Sequence, residues 1–303
     1  MIFLKRAIRR LLSIFKSTVI KICVKMSLLG AKDVGVTSYG NHLLRLNKDY
    51  ALGRKGTVLE LPKDDIIYKY VKFKGNWELT DCRFLARGLK KACMQLQLKT
   101  ALIDIGANTG LVSLQTMNLS GTKNDLFLFE PVPRHAMAIR NNLKSFLNVH
   151  LGEFALSDKD GKAAIYTQAT NHGNSSLFDY VVPASGMIST QIELVNTEEY
   201  CKCFLNNYEC YVIKCDTQGM DALILSRFAD LIWQNCESAV IEVWALPEVK
   251  RQDVDRLLAK FQGFNYVSWY PDGSLVLALE EVSQYWLSKS GSQRNLYLSK
   301  TLL

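Results

Sequence analysis

The sequence predicts an α/β protein in which helices cover both faces of a mostly parallel β-sheet. Short apolar segments alternate with helical segments from residue 101 to residue 261, and this alternation is typical of a parallel sheet. A Pro-Asp-Gly turn at 271–273 predicts an antiparallel hairpin at the sheet edge. Of the 303 residues, 48% are hydrophobic and 22% charged, which excludes a mainly disordered chain and a small disulfide-stapled domain.

The first part of the folded chain, residues 31–98, is expected to be an extension that precedes the main sheet. Segments 59–62 and 66–73 are short, largely apolar stretches ahead of the turn at Gly75, and each is predicted to be a strand. Residues 79–98 carry apolar side chains at helical spacing and are predicted to be a helix.

The main sheet is expected to contain seven strands. Five alternate with helices, and the last two form the antiparallel C-terminal hairpin within residues 264–280. The predicted strands are 101–105, 126–129, 149–156, 211–216 and 239–243, and the predicted helices are 111–119, 134–147, 219–229 and 247–261.

Four segments are therefore expected along the chain. They are a basic amphipathic helix (1–30), the N-terminal extension (31–98), a cofactor-binding α/β domain (99–290) and a C-terminal tail (291–303).

Basic charge is concentrated at the N-terminus. Residues 1–30 contain seven Lys and Arg and no acid, whereas the remainder has 30 Lys and Arg against 29 Asp and Glu. A nucleic-acid-binding protein usually spreads basic charge over its folded face, so no nucleic-acid partner is expected.

Residues 3–19 have the pattern of a helix that lies on a membrane surface. Cations occupy one side of the helical wheel and apolar side chains the other. A mitochondrial transit peptide fits the composition better than a secretory signal does, and a helix packed on its own domain or on a partner chain fits equally well. The apolar side consists of Leu4, Ile8, Leu11, Ile14 and Phe15, and the basic side of Lys5, Arg6, Arg9, Arg10 and Lys16.

A cytoplasmic location is expected, with peripheral attachment to a membrane as an option. Eight cysteines are scattered through apolar stretches of a chain too large to need disulfides, which suits a reducing compartment. No run of 18 uncharged apolar residues is present, so a spanning helix is not expected.

The turn after the first strand of the main sheet predicts a nucleoside-binding site. It reads Asp104-Ile-Gly106-Ala-Asn108-Thr109-Gly110. Glycine lets the backbone turn sharply and approach a ligand closely, and asparagine tolerates the left-handed conformation.

The second strand ends in Phe129-Glu130-Pro131, with Glu130 in a position to hold ribose hydroxyls. A ligand of such a sheet lies beyond the carboxyl ends of the strands. The acidic residues expected there are Asp104, Glu130, Asp158, Asp216 and Glu242.

The pattern D-x-G-x-N-x-G favours S-adenosylmethionine over a dinucleotide. An NAD(P)-dependent oxidoreductase is the first alternative, but the chain lacks the G-x-G-x-x-G turn that receives a pyrophosphate. An acid at the strand end repels phosphate and suits a cofactor with an ammonium and a sulfonium. A non-catalytic adaptor that retains the fold is the second alternative.

Several ordered motifs resemble those of the FkbM family of methyltransferases. The resemblance runs from about residue 66 to residue 245 and implies a class I, Rossmann-like methyltransferase fold. It implies methylation of hydroxyl groups of sugars and natural products with S-adenosylmethionine. The motifs are Gly75-Asn-Trp-Glu78, Ile103–Gly110, Phe129-Glu-Pro131, Ala155-Leu-Ser-Asp158 with Gly161, Asn171–Leu177 and Ile213–Gly219.

The resemblance also implies roles for individual residues. The 104–110 turn, including Thr109, would hold the methionine part of the cofactor, and Glu130 with Pro131 would lie at the ribose. Ser157 and Asp158 would lie near the adenine, and Asp216 would face the transferred methyl group. The chain departs from the family at Gln218, where glutamate is frequent.

The acceptor is expected to be a hydroxyl of a small molecule or glycan. A sugar hydroxyl loses its proton only as it attacks, so a proton acceptor is needed. Asp216, Glu242 and His172 are the candidates for this role, and Lys214 is expected to pair with a carboxylate. No metal is expected, since no spacing demands one, and the oligomeric state is left open.

Overall fold

A computed structural model describes residues 29–64, 66–168, 171–179, 186–205 and 207–301. The side chains of residues 172, 174 and 204 lie outside this description.

Strands and helices occur throughout the described part of the chain. The strands are β1 (Ala31–Val36), β2 (His42–Leu46), β3 (Val58–Leu61), β4 (Thr100–Ile105), β5 (Asp125–Phe129), β6 (Val149–Gly152), β7 (Ala155–Ser157), β8 (Gly161–Gln168), β9 (Asn171–Ser176), β10 (Met187–Asn196), β11 (Cys210–Cys215), β12 (Cys236–Trp244), β13 (Tyr266–Ser268) and β14 (Gln293–Ser299). The helices are α1 (Ile67–Lys74), α2 (Leu79–Lys90), α3 (Leu111–Ser120), α4 (Pro133–Asn142), α5 (Thr197–Tyr200), α6 (Asp221–Ser226), α7 (Asp230–Gln234), α8 (Arg251–Lys260) and α9 (Leu279–Trp286).

The main sheet has seven strands in the order β13-β14-β12-β11-β4-β5-β6. The five strands from β12 to β6 are parallel, and β14 runs antiparallel between β12 and β13. Every residue of β4 and β11 is buried, as is typical of strands covered on both faces. The predicted mostly parallel seven-stranded sheet with an antiparallel C-terminal part is therefore confirmed.

Alternate residues of each central strand belong to different hydrophobic cores. Ala101, Ile103 and Ile105 of β4 pack in one core with residues of α6 to α9, whereas Leu102 packs in the other with residues of α2, α3 and α4. Asp104 is on the same face of β4 as Leu102, so its carboxylate is directed to the α2–α3 side of the sheet.

The prediction of a strand at 66–73 is wrong, because residues 67–74 form helix α1. The alternating pattern also places Ile67, Tyr68 and Val71 on one helical face, and these three side chains are buried. Gly75 ends the helix at φ 70° with its amide bonded to the Val71 carbonyl.

The predicted helix at 79–98 is confirmed as α2, which continues in a π-helical turn over Lys91–Gln95. The helix predicted at 134–147 ends at Asn142, and the one predicted at 219–229 forms only over Asp221–Ser226 as α6, with α7 beginning after it at Asp230.

The single strand predicted at 149–156 is wrong, because the chain passes there from one sheet to another. Strand β6 ends the main sheet, whereas β7 belongs to a four-stranded sheet of order β7-β10-β8-β9. This small sheet brings β9 to the carboxyl end of β11, where the Ser176 hydroxyl donates to the Gln218 carbonyl at 3.0 Å.

The predicted hairpin within 264–280 is also wrong. Only β13 forms there, and its antiparallel partner β14 follows after helix α9. The turn at 271–273 exists, with the Gly273 amide bonded to the Tyr270 carbonyl, but it does not join two strands. Strand β14 lies within the segment predicted to be a tail, and the division of the chain into four segments stays a prediction.

None of the helices in the described residues is both long enough and apolar enough to cross a membrane.

Candidate functional site

The turn between β4 and α3 is held tightly against the ends of β5 and β11. The amides of Gly106 and Ala107 both donate to the Phe129 carbonyl, at 3.0 and 3.1 Å. Gly106 has φ 75°, and a Cβ there would lie 1.8 Å from the Asp216 carbonyl oxygen. Asn108 also has positive φ (52°), as expected from its side chain. The turn thus brings three strand ends into one crevice.

Glu130 fixes the far side of this turn. Its carboxylate accepts from the Asn108 amide at 2.8 Å and from the Val132 amide at 2.9 Å. The side chain of His135 lies beside it, with Nδ1 3.4 Å from Oε1. Glu130 is therefore held in one orientation at the end of β5.

An apolar cavity opens at Glu130. It lies between the carboxyl end of the main sheet and the small sheet, and most of its walls are apolar. The side chains that define it are those of Phe129, Glu130, Pro131, Phe154, Leu156, Ile165, Leu177 and Ile224.

A larger polar cavity adjoins it. Its walls come from α1, the start of α2, strand β9 and the ends of β11 and β12. The side chains that define it are Ile67, Trp77, Glu78, Thr109, Lys214, Asp216, Gln218, Glu242, Trp244 and Gln293. The two cavities share Gly106, Asn108, Gly173, Asp216 and Gln218, so each opens on the same junction.

One lysine and two carboxylates form a hydrogen-bonded group at this junction. Lys214 Nζ lies 3.1 Å from Asp216 Oδ2, and both Lys214 and Glu242 are buried. Gln218 donates from Nε2 to Asp216 Oδ1 at 2.8 Å and to Glu242 Oε2 at 2.9 Å. The four side chains thus hold one another in fixed positions.

The charges in this group follow from burial and from the lysine. Burial and the neighbouring Asp216 raise the pKa of Glu242 well above its usual range. Burial would also raise the pKa of Asp216, but Lys214 and Gln218 outweigh it and lower that pKa. Burial opposes the charge of Lys214, yet the surrounding carboxylates hold its pKa well above the usual value. Lys214 and Asp216 thus form a charged pair, whereas the carboxyl of Glu242 binds its proton more tightly than an ordinary glutamate does.

Glu78 is a residue of this cavity that the sequence analysis did not single out as a site residue. It precedes α2 in the left-handed conformation, at φ 41° and ψ 45°. Burial, with the nearby Asp216, raises the pKa of Glu78 to about 7 although Lys214 opposes the shift. The only signal in the sequence was the Gly75–Glu78 element, which could be noticed but not assigned a role.

Several of the predicted cofactor residues line these cavities, and others do not. Thr109 lines the polar cavity and Pro131 the apolar one, whereas Gly110 begins α3 with φ 73°. Ser157 and Asp158 follow Leu156 but line neither cavity.

Asp104 lies behind the junction, nearly fully buried. It is the register neighbour of Lys214 in the adjacent strand and accepts from Ser113 Oγ at 2.6 Å. Its other oxygen, Oδ1, has no hydrogen-bond partner among the described residues. Burial is the main reason that the pKa of Asp104 is raised.

The side chain of His172 lies outside the described part of the chain. Its backbone belongs to β9, whose residues Asn171 and Gly173 line the polar cavity. In the described residues no group of three or more His, Cys, Asp and Glu is arranged to hold a metal ion.

The fold and the crevice at its strand ends are those of a class I methyltransferase. The Methyltransferase FkbM domain matches residues 104–268, which is more than half of the chain. The protein therefore belongs to the FkbM methyltransferase family, and its cofactor is S-adenosyl-L-methionine.

The chain also matches solved structures at low sequence identity. A methyltransferase from Agrobacterium tumefaciens has a TM-score of 0.42 and 9% identity, over 90% of this chain and 77% of that one. A fibrillarin from Aeropyrum pernix with bound S-adenosyl-L-methionine has a TM-score of 0.36 and 10% identity, over 88% of this chain and 98% of that one. The precorrin-6y C5,15-methyltransferase of Geobacter metallireducens has a TM-score of 0.34 and 17% identity, over 71% of this chain and 88% of that one. No curated protein matches the chain.

Proposed function

We propose that the protein transfers a methyl group from S-adenosylmethionine to a hydroxyl of a sugar, a glycan precursor or a natural product. The observation that carries this proposal is the junction at Gly106 and Asp216, where an apolar cavity meets a polar one. A donor in the first cavity and an acceptor in the second would meet beside a charged carboxylate.

The apolar cavity suits the adenosyl part of the cofactor. The Glu130 carboxylate, already oriented by two backbone amides, is available to accept hydrogen bonds from ribose hydroxyls. Phe129 and Leu156 offer an apolar surface for the adenine ring. Ser157 and Asp158 are proposed to act near the adenine from outside the cavity wall.

The charges around the junction suit the methionine part. Asp104 has a buried oxygen without a partner among the described residues, which fits an ammonium group near the 104–110 turn. Carboxylates outnumber Lys214 along the polar cavity, which fits a sulfonium and disfavours a phosphate. This is the reason to prefer the methyl donor over NAD(P).

The chain's residues prepare the acceptor hydroxyl for attack. When bound, the cofactor supplies a methyl group on a sulfonium, whose departure as a neutral thioether needs no acid. The polar cavity would align the acceptor at Asp216, which Lys214 keeps charged and which Gln218 holds together with Glu242. Trp244 and Trp77 on the cavity walls offer faces for a sugar ring. His172 remains a further candidate for contact with the acceptor.

Calorimetry with S-adenosylhomocysteine and with NAD tests the donor. We expect S-adenosylhomocysteine to bind and NAD not to bind, and the reverse result would contradict the proposal. Mass spectrometry of extracts incubated with labelled S-adenosylmethionine then tests the acceptor. We expect label on neutral hydroxyl compounds, and label on amines or nucleic acid alone would contradict it.

The Asp216→Asn variant tests the junction itself. It removes the carboxylate charge and leaves Lys214 without its partner, so we expect methyl transfer to fall at least a hundredfold. The exposed Asp272→Asn variant is the control and should transfer as the native protein does.

We also propose that the protein is cytoplasmic and contacts membrane surfaces through residues 3–19. The support is the sequence pattern, since these residues precede the described chain. Flotation with vesicles of anionic lipid should recover the full chain and not a chain that lacks residues 1–28. Equal flotation of the full and the shortened chain would contradict the proposal.

A further inference from the structure

The carboxylates that line the polar cavity differ in how they are held. Asp216 accepts from Lys214 and Gln218, and Glu242 accepts from Gln218. Glu78 lines the same cavity, but no hydrogen bond to its carboxylate is present among the described residues. Unlike Asp216 and Glu242, Glu78 therefore has carboxylate oxygens that accept no hydrogen bond from the described residues and can accept a proton from a bound molecule.

The backbone of Glu78 is held in a conformation that costs energy. A glutamate at φ 41° lacks the local hydrogen bonding that lets asparagine adopt this region. The Glu78 side chain does not cap α2, so helix initiation does not explain its position. Such strain persists at sites where the surrounding structure fixes a side chain for function.

The groups around Glu78 come from four elements. Lys214 lies on β11 and Asp216 directly after it, Asp104 lies on β4 and Asp81 on the first turn of α2 itself, while Glu242 lines the cavity from β12. Asp81 is already bonded to Asn295 and to Tyr297. With one cation among these carboxylates, the Glu78 carboxylate is a stronger base than an exposed glutamate. Its pKa of about 7 is close to the value that a general base needs at neutral pH.

We propose that Glu78 is the catalytic residue that takes the proton of the acceptor hydroxyl. This rests on the proposed function. As the acceptor oxygen bonds to the methyl carbon, the carbon–sulfur bond breaks and its electron pair stays on sulfur. The hydroxyl proton goes to Glu78 and returns to water through the polar cavity. Asp216, fixed by Lys214 and Gln218, positions the acceptor.

Three substitutions of Glu78 test this role. Glu78→Gln keeps the shape and removes the base, Glu78→Asp keeps a carboxylate on a shorter stem, and Glu78→Asn tolerates the left-handed backbone without a base. The exposed Glu280→Gln is the matched control. Methyl transfer from labelled S-adenosylmethionine is measured on the acceptor fraction of extracts and on a panel of methyl glycosides, from pH 5.5 to 9. Binding of S-adenosylhomocysteine is measured by calorimetry.

We expect kcat to fall 100- to 1000-fold in Glu78→Gln and in Glu78→Asn, with Glu78→Asp restoring part of it. In the native protein kcat should rise with pH through about 7, and this rise should be absent in Glu78→Gln. The affinity for S-adenosylhomocysteine should change less than threefold.

Other results would overturn the inference. If the native protein transfers methyl groups and Glu78→Gln keeps more than a third of kcat with the same pH profile, Glu78 is not the base and the proposed function stands. A tenfold loss of S-adenosylhomocysteine affinity would make Glu78 a cofactor ligand instead. If the native protein binds S-adenosylhomocysteine but methylates no hydroxyl compound, the proposed function fails and the role of Glu78 fails with it.

Discussion

Gly106 and Asp216 are in direct backbone contact, so close that a Cβ on residue 106 would stand 1.8 Å from the carbonyl oxygen of Asp216. The contact joins the turn after β4 to the end of β11, which are the elements that carry the proposed donor and acceptor residues. It therefore fixes the junction that the two cavities share, and it does so through backbone atoms alone.

Gly106→Ala should disrupt this contact. The new methyl group would overlap the Asp216 carbonyl, and a non-glycine residue would also have to adopt φ 75°. We expect a loss of more than about 2 kcal/mol of unfolding free energy, measured by urea denaturation, and no binding of S-adenosylhomocysteine.

Gly121→Ala is the matched control for that variant. Gly121 has φ 65° and nothing within 4 Å of its hypothetical Cβ, so only the conformational cost of about 1–2 kcal/mol applies. Equal stability losses in the two variants would contradict the claim that the contact itself matters.

Glu130→Gln should weaken cofactor binding. The amide keeps one acceptor oxygen, whereas both carboxylate oxygens accept a backbone amide in the native protein. We expect S-adenosylhomocysteine affinity, measured by calorimetry, to fall at least tenfold, or about 1.4 kcal/mol. Glu153 is exposed and lies nearby, at the end of β6. The Glu153→Gln variant is therefore the control and should bind S-adenosylhomocysteine as the native protein does. Unchanged affinity in Glu130→Gln would exclude Glu130 as a cofactor ligand.

Local sequence signals sufficed to predict the central strands and the tight turn after β4. The apolar run of β4 and the Gly106–Gly110 spacing each have one low-energy solution, a buried strand followed by a tight turn. The conformation of these two segments does not depend on residues far away in the chain.

Elements whose structure depends on distant partners could not be predicted in this way. Residues 67–74 fit a strand or a helix by pattern, and burial of Tyr68 and Val71 against other elements decides for the helix. Strand β14 pairs with β12 some fifty residues earlier, so a local turn signal was misleading. Glu78 acquires its environment from β4 and β11, which its own segment does not reveal.

Gln218→Glu should destabilise the junction at high pH. The Gln218 amide donates to both Asp216 and Glu242. A carboxylate would replace a donor with a further negative charge, at a cost of about 2 kcal/mol or more. We expect the melting temperature of the variant to be lower than that of the native protein at pH 8. The decrease should be smaller at pH 5, where protonation of the new glutamate restores a hydrogen-bond donor. The exposed Gln262→Glu should melt as the native protein does at both pH values, and a pH-independent effect at residue 218 would contradict the electrostatic explanation.

Glu78→Gln should stabilise the protein at alkaline pH and not at acidic pH. The pKa of Glu78 is about 7 in the folded protein against an ordinary value of 4.5, so the unfolded chain loses this proton first as the pH rises. The stability that the protonated carboxyl contributes is fully present below pH 4.5 and is lost as the pH rises through 7. Glutamine cannot ionise, so the variant keeps that contribution, and its advantage should grow between pH 4.5 and 7 to on the order of 3 kcal/mol. Urea denaturation from pH 4 to 8.5 measures it, with Glu280→Gln as the control. A variant that is equally or less stable than the native protein at pH 8 would show that Glu78 is not held among unfavourable charges, and the basis for its role as the proton acceptor would be lost.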